Sequence, residues 1–256
     1  MEEGSAADVA VAGDRAAARA VLEAALPRVD AFVQPAEGRA KRLLVADMDS
    51  TMITVECIDE LADYAGVGRD VAEITESAMR GELDFVAALR ARVALLAGLP
   101  EAVLGQCLRE RVRITPGARA LVRTMRERAG ARTCLVSGGF TAFAAPVAAE
   151  IGFEAHRANV LEIADGRLTG RVLPPVLGAE AKAEALAELA GELPREATLA
   201  VGDGANDVPM LQAAGFGVAY RAKPRAAEAA DAAVRIGDLT ALLWAQGYPR
   251  AAWAAG

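Results

Sequence analysis

The chain has 256 residues, of which 54% are apolar, and its 28 basic and 35 acidic side chains give a formal net charge of −7. This length suits one α/β domain with a smaller insertion, and the negative charge disfavours a nucleic-acid-binding protein. The single histidine, His156, excludes multi-histidine zinc sites, and three widely spaced cysteines provide neither a disulfide framework nor a CxxC metal site. No run reaches the roughly 18 apolar residues of a membrane span. The acidic first residues differ from a basic targeting peptide, which predicts a cytoplasmic protein.

The first 40 residues are predicted to form an N-terminal helical extension and a linker. Residues 5–24 are alanine-rich with scattered charge and predict a helix, and the following stretch, 27–42, contains two prolines that favour a connector. The segment 1–40 is too short for a second folded domain.

Four short apolar runs predict buried parallel strands at residues 42–49, 131–139, 197–204 and 216–220. Helical patterns separate these runs, and such alternation predicts an α/β fold with a Rossmann-like, doubly wound parallel sheet. Residues 160–173 alternate apolar and polar side chains around Asp165-Gly166, which indicates a hairpin.

Residues 56–115 interrupt this alternation. They contain four helical patterns with no strand between them. We therefore predict a helical cap at 56–115, inserted into a core made of residues 41–55 and 116–256.

Polar side chains follow the first two predicted strands. Asp47 and Asp49 lie two residues apart at the first strand end, where paired carboxylates can bind Mg²⁺, attack an electrophile or transfer protons. Helix capping is the alternative role for such acids. Ser137 and Gly138 form a turn before a helix, which can bind an anion or simply connect two elements.

Two further motifs carry charged groups. Lys182 lies near the start of a predicted helix, where it could contact a phosphate or remain a surface lysine. Asp203 follows the third predicted strand at a position where a metal ligand could meet Asp47. Asn206 and Asp207 come next and could cap the following helix.

In this order, the motifs resemble the signature of the haloacid-dehalogenase-like phosphatases. The segments DMDSTMITVECIDELA, MRGELDFVAALRARV, SGGF and VGDGANDVPML resemble most closely the branch of that family that acts on phosphoserine. The resemblance covers most of residues 41–240. It implies a Rossmann-like core with a helical cap that closes over the site.

The resemblance implies a catalytic and a metal-binding role for the acidic residues. Asp47 matches the nucleophile that forms an aspartyl-phosphate, and Asp49 matches the general acid and base. Mg²⁺ would be held by Asp47, by the main-chain carbonyl of Asp49 and by Asp203. Asp207 matches a residue that orients Lys182 or a metal-bound water.

It also implies substrate contacts, which are Ser137, Gly138 and Lys182 for the phosphoryl group, Asn206, Glu56 for an amino group and Arg92 for a carboxylate. Met79 and Phe85 match an apolar wall beside the substrate. Without the resemblance, Glu56 could simply occupy a first helical turn, and Arg92 could extend over an apolar face.

The activity implied is Mg²⁺-dependent hydrolysis of O-phospho-L-serine to L-serine and phosphate, the last step of L-serine biosynthesis. Alternatives are hydrolysis of another small ester such as histidinol phosphate, phosphoryl transfer from phosphoserine to homoserine, or non-catalytic phosphoserine binding. The expected partner is the small molecule O-phosphoserine. We expect neither a nucleic-acid nor a membrane partner, and the protein could form a homodimer.

Overall fold

A mostly parallel sheet forms the centre of the protein. The structure, a computed structural model, describes residues 4–79 and 82–255. Within these residues, seven strands follow the order β4-β3-β2-β1-β5-β6-β7, and only β3 and β4 pair antiparallel. Their bounds are β1 Leu43–Ala46, β2 Arg132–Phe140, β3 Ala155–Ala164, β4 Arg167–Leu173, β5 Thr198–Gly202, β6 Phe216–Tyr220 and β7 Ala232–Val234. The predicted α/β fold with a doubly wound sheet is confirmed.

Helices cover both faces of the sheet. Successive side chains of a strand point to opposite faces, so in β1 Leu44 and Ala46 join one apolar cluster while Leu43 and Val45 join the other. This two-sided burial explains why the strand is an unbroken apolar run. Helices α6 Ala118–Ala129, α7 Thr141–Ile151 and α11 Ala241–Ala245 contribute to the first cluster, and α8 Ala179–Ala190, α9 Val208–Ala213 and α10 Pro224–Ala229 to the second.

In the described part of the chain, four α-helices lie between β1 and α6, as the sequence predicts: α2 Cys57–Ala65, α3 Gly68–Met79, α4 Phe85–Ala94 and α5 Ala102–Glu110. The two chain segments that connect these helices to the core meet in an isolated antiparallel bridge between Ile53 and Ile114. The Thr54 N–H donates to the Arg113 carbonyl at 3.0 Å, and the Thr115 N–H donates to the Met52 carbonyl at 3.0 Å. Over the described ranges, we find no helix with the length and apolar character needed to cross a bilayer. The division into extension, core and cap stays a prediction.

The predicted hairpin is formed by β3 and β4. Asp165 and Gly166 have φ values of 51° and 71°, as a tight two-residue turn requires. The hairpin also binds the connection between α4 and α5. The Gly98 N–H donates to the Leu168 carbonyl at 2.8 Å, and the Leu168 N–H donates to the Leu99 carbonyl at 2.9 Å. This contact between the hairpin and the helical insert was not predicted.

The helix predicted over 5–24 is wrong in its first half, because α1 spans Arg15–Ala25. The Asp14 carboxylate accepts the Ala17 N–H at 2.9 Å and caps the helix there. Gly13 precedes it with a φ of 119°, which a right-handed helix cannot contain. The alanine content of residues 5–24 favours a helix on both sides of Asp14, but the cap at Asp14 sets the start of the helix.

Part of the connector is bound to the core. We call residues 30–39 the N-terminal strap. The Asp30 carboxylate accepts backbone N–H groups from residues 235–237 at 2.7–3.1 Å. The Phe32 ring packs edge-on against Phe216, with centroids 6.4 Å apart, and Arg39 donates to the Ala245 carbonyl at 3.0 Å. The strap therefore lies along the β7 side of the sheet.

Candidate active site

Three strand ends bring the predicted side chains together. β1 lies between β2 and β5, and all three strands are parallel. Asp47 follows β1, Ser137 lies near the end of β2, and Asp203 follows β5. In an open α/β sheet this edge is the usual position of a ligand site.

A tight turn separates the roles of Asp47 and Asp49. The Ile53 N–H donates to the Met48 carbonyl at 3.0 Å, and Ser50 adopts a φ of 54° within this turn. The Asp49 carboxylate accepts the Cys57 N–H at 2.8 Å and the Ser137 hydroxyl at 3.0 Å. Burial, and then the charge of Glu56, raises the pKa of Asp49. A carboxyl group with a raised pKa suits proton transfer.

Lys182 supplies a buried positive charge from the second turn of α8. Its Nζ lies 2.5 Å from Asp47 Oδ1 and 2.5 Å from Asp207 Oδ1, and its side chain is 2% exposed. Burial acts to lower the pKa of Lys182, but the Asp207 and Asp47 carboxylates outweigh it and raise that pKa. Lys182 is therefore protonated and holds two acids that are distant in the sequence.

Asp207 also fixes the loop that follows β5. Its Oδ2 accepts the N–H groups of Asp203 at 3.0 Å and of Gly204 at 2.9 Å. A Cβ on Gly202 would lie 2.4 Å from the Asp207 Cγ, so the close approach of the side chain needs glycine there. The Asp207 side chain makes no capping hydrogen bond to α9, so its alternative role as a cap of the following helix is wrong.

Three of these acids fit a metal ion. One carboxylate oxygen each from Asp47, Asp203 and Asp207 lies within 4.8 Å of the others, and all three residues are buried. Burial, followed by the charges of Asp207 and Glu56, raises the pKa of Asp203 to about 6. Burial and the Asp207 charge raise the pKa of Asp47 well above its usual value. Grouped carboxylates that repel one another are suitable ligands for a divalent cation.

The metal set predicted from the sequence was Asp47, Asp49 and Asp203. The Asp49 carboxylate faces Ser137 and Cys57, which leaves its main-chain carbonyl as the predicted metal ligand. In the described part of the chain, an Asp207 carboxylate oxygen also lies close to Asp47 and Asp203, and the predicted metal set stays a prediction.

The Ser137-Gly138 turn is packed closely on its neighbours. The Gly139 N–H donates to Ser137 Oγ at 2.8 Å. A Cβ on Gly138 would lie 2.7 Å from the Phe85 ring, and one on Gly139 would lie 2.8 Å from Asp49 Oδ2. The turn therefore lies between the carboxylate and an aromatic ring of the helical insert.

One residue at this turn was missed. Asn159, on β3, donates through Nδ2 to the Gly138 carbonyl at 2.8 Å. The signal available in the sequence was an asparagine within the otherwise strand-like run RANVLEI, where an amide needs buried partners.

Glu56 is connected to the tight turn that follows β1. The Ser50 hydroxyl donates to Glu56 Oε1 at 2.6 Å, and Glu56 is the residue that precedes α2. Arg92, in the last turn of α4, donates through Nε to the Ala88 carbonyl at 3.3 Å. Burial lowers the pKa of Arg92, while the charges of Asp59, Glu56 and Asp49 oppose this change.

Arg92 and Asn206 are less closely joined to the other predicted residues. Within residues 4–79 and 82–255, no hydrogen bond links either side chain to another predicted site residue. Asn206 lies in the turn that precedes α9 and is partly buried. The Met79 side chain lies outside the described part of the chain.

The fold and the carboxylate–lysine site define a class that comparison identifies directly. The model of the haloacid dehalogenase-like hydrolase family matches residues 44–212. The chain belongs to this family.

Curated relatives carry a more particular name. The phosphoserine phosphatase of Streptomyces coelicolor is 47% identical over 232 residues, which cover 89% of this chain and 56% of the relative. Phosphoserine phosphatase SerB2 of Mycobacterium tuberculosis is 48% identical, covering 83% of this chain and 52% of the relative. The chain thus spans about half the length of these two relatives. A phosphoserine phosphatase of Polaromonas is 48% identical, with 79% and 88% covered.

Solved structures agree with these relatives. A substrate-bound phosphoserine phosphatase complex superposes with a TM-score of 0.74 at 39% identity, covering 80% of this chain and 97% of the other. A probable phosphoserine phosphatase from Vibrio cholerae gives 0.79 at 39% identity, covering 94% and 75%.

Proposed function

We propose that this chain hydrolyses O-phospho-L-serine to L-serine and inorganic phosphate with the help of Mg²⁺. The observation that carries the proposal is the arrangement of two neighbouring acids. The Asp47 carboxylate is bound by the buried Lys182 ammonium group, and the Asp49 carboxylate is bound by the Ser137 hydroxyl. The relatives named above support the choice of phosphoserine. L-serine synthesis from this ester is the metabolic role that we assign.

In the first half of the reaction, an Asp47 carboxylate oxygen attacks phosphorus and the bond to the serine oxygen breaks. Asp49 gives its proton to that leaving oxygen, a role for which burial, by raising its pKa, suits it. The product on the protein is an aspartyl-phosphate. Ser137, Gly138 and Lys182 bind the transferring phosphoryl group, whose negative charge is spread over its outer oxygens.

In the second half, Asp49 accepts a proton from water as the water oxygen attacks phosphorus. The bond between phosphorus and the Asp47 oxygen breaks, which restores the carboxylate and yields inorganic phosphate. Asp207 keeps Lys182 and the 203–204 backbone in place through both halves.

Asp47 and Asp203 would hold the cation, with the main-chain carbonyl of Asp49 as a further ligand, while both Asp207 oxygens remain bound to Lys182 and to the 203–204 backbone. When bound, Mg²⁺ supplies positive charge that offsets the charge on the phosphoryl oxygens.

Specificity for an amino acid comes from Glu56 and Arg92. Glu56 is placed by the Ser50 hydroxyl and would bind the substrate ammonium group. Arg92 would bind the carboxylate through two parallel hydrogen bonds, for which its planar guanidinium is suited. Asn206 would also contact the substrate. We place the enzyme in the cytoplasm, where the free thiols of Cys57, Cys107 and Cys134 remain reduced.

The test is a phosphate-release screen with Mg²⁺ over phosphoserine, phosphothreonine, histidinol phosphate and sugar phosphates. Phosphoserine should be the best substrate by at least about tenfold in kcat/KM, a ratio that equals about 1.4 kcal/mol of discrimination. Asp47→Asn should abolish turnover while leaving the circular dichroism spectrum unchanged. Preference for another ester would reject the proposed substrate, and a near-normal rate in the variant would reject the mechanism.

A further inference from the structure

Asn159 joins two elements that the site needs. Its side-chain Nδ2 donates to the Gly138 carbonyl at 2.8 Å and to the Leu177 carbonyl at 3.4 Å, while Oδ1 accepts the Leu177 N–H at 2.8 Å. Asn159 is 1% exposed. A buried amide is costly unless its donors and acceptor are paired, and here each has a backbone partner.

These contacts fix the position of the Gly138-Gly139 peptide. Its carbonyl is held by Asn159, and its N–H donates to Ser137 Oγ at 2.8 Å. With both ends bound, the peptide cannot rotate, and the glycine turn keeps one orientation toward Asp49.

The other partner of Asn159, Leu177, lies close in sequence to Lys182. Leu177 directly precedes Gly178, the N-cap of α8, and Lys182 lies in the second turn of that helix. β3 therefore carries one side chain that binds both the turn at the end of β2 and the start of α8. An amide suits this position because it presents a donor and an acceptor to backbone groups of opposite kind.

We infer that Asn159 is a positioning residue that sets the Gly138 turn relative to Lys182. This inference rests on the proposed function, in which both groups bind one phosphoryl group. Asn159 itself does not touch that group; it holds the two binding elements in mutual register. Small displacements of such elements are sufficient to lower the rate strongly.

The test compares Asn159→Ala and Asn159→Asp with wild type and with Thr133→Val. Asp keeps an acceptor for the Leu177 N–H but loses the donor to the Gly138 carbonyl. Thr133 is a matched control, because it is similarly buried at 2% exposed, lies at the start of β2, away from Gly138, and accepts the Glu154 N–H at 3.0 Å. The measurements are Kd for inorganic phosphate by calorimetry in Mg²⁺, kcat for phosphoserine and for p-nitrophenyl phosphate, and Tm.

Both Asn159 variants should weaken inorganic phosphate binding about tenfold and lower kcat about tenfold or more for both esters. The ratio of kcat/KM between the two esters should stay within about twofold, because Glu56 and Arg92 are unaffected. Thr133→Val should lower Tm without changing phosphate affinity.

Wild-type phosphate affinity in either folded Asn159 variant overturns the inference. So does failure of both variants to fold under conditions in which Thr133→Val folds, since Asn159 would then be needed for the fold alone. The proposed substrate fails separately, through a wild-type protein that binds inorganic phosphate but does not hydrolyse phosphoserine.

Discussion

Replacing Asp203 with asparagine removes a negative charge that the fold holds out of water. Asp203 is 6% exposed, and burial followed by the charges of Asp207 and Glu56 raises its pKa from 3.8 to about 6. A rise of this size corresponds to about 3 kcal/mol of folding free energy, since one pKa unit is worth about 1.4 kcal/mol. Asparagine keeps an acceptor for the Thr51 hydroxyl, which lies 3.3 Å from Oδ1. We expect Asp203→Asn to stabilise the metal-free protein at pH 7.5.

The gain depends on pH in one direction. Below the unfolded pKa of 3.8, Asp203 is protonated in both the folded and the unfolded chain, and its burial carries no charge penalty. As pH rises from 3.8 to about 6, the unfolded chain releases this proton first, so the wild type loses stability. Above about 6 the whole penalty is present. The variant lacks this loss, so its advantage should grow across that range.

The assay is thermal unfolding followed by circular dichroism in EDTA between about pH 4 and 8. At pH 7.5 the variant should melt higher by at most about 6–12 °C, because 1 kcal/mol moves Tm by about 2–4 °C in a chain of this size. Asp165→Asn is the control, since Asp165 is exposed in the hairpin turn and asparagine tolerates its positive φ. A variant no more stable than wild type at pH 7.5, or one with the same gain at pH 4, refutes the reasoning.

Four further outcomes are expected. Arg92→Ala should raise KM for phosphoserine about 10–100-fold, because the variant loses a charged hydrogen-bonded pair with the substrate carboxylate. KM for p-nitrophenyl phosphate, which has no carboxylate, should change far less, and equal effects on both esters would contradict a carboxylate-binding role. Gly138→Ala should lower kcat/KM by about tenfold or more, because the new Cβ meets the Phe85 ring at 2.7 Å; an unchanged rate would show that Phe85 yields freely. Asp30→Ala should cost about 1–3 kcal/mol in denaturant unfolding, since it leaves the N–H groups of 235–237 without their acceptor, while kcat stays constant. EDTA should stop turnover and added Mg²⁺ should restore it, whereas EDTA-resistant activity argues against the metal site.

The position of the motifs in the fold was predictable because the ends of buried strands can be recognised in the sequence. Short apolar runs with polar residues directly after them placed Asp47 and Asp203 at one edge of a parallel sheet. The structure brings both carboxylates within the same cluster. Periodicity likewise predicted the four helices between residues 56 and 115 and the hairpin around Asp165.

Other features depend on contacts that no local pattern contains. From the local sequence alone, Lys182 could be a surface lysine. In the fold it lies between two acids, one of them 135 residues away in the sequence. The role of Asn159 depends on backbone groups of two other elements. The left-handed conformation of Ser50, at a residue that usually avoids it, follows from the tight turn after β1. The start of α1 directly after Asp14 shows how a single capping side chain overrides helix-favouring composition.

The route of the N-terminal strap has a practical consequence for fusion proteins. The strap follows the β7 side of the sheet, and α1 is attached there as well, because Arg19 donates to the Ala230 carbonyl. The hairpin that touches the helical insert forms the opposite border of the sheet. An affinity tag or reporter joined ahead of α1 would therefore be attached on the border of the sheet opposite the hairpin. Deletions that extend past residue 29 would expose the backbone of 235–237 and the Phe216 ring, because they remove residues that pack on the core.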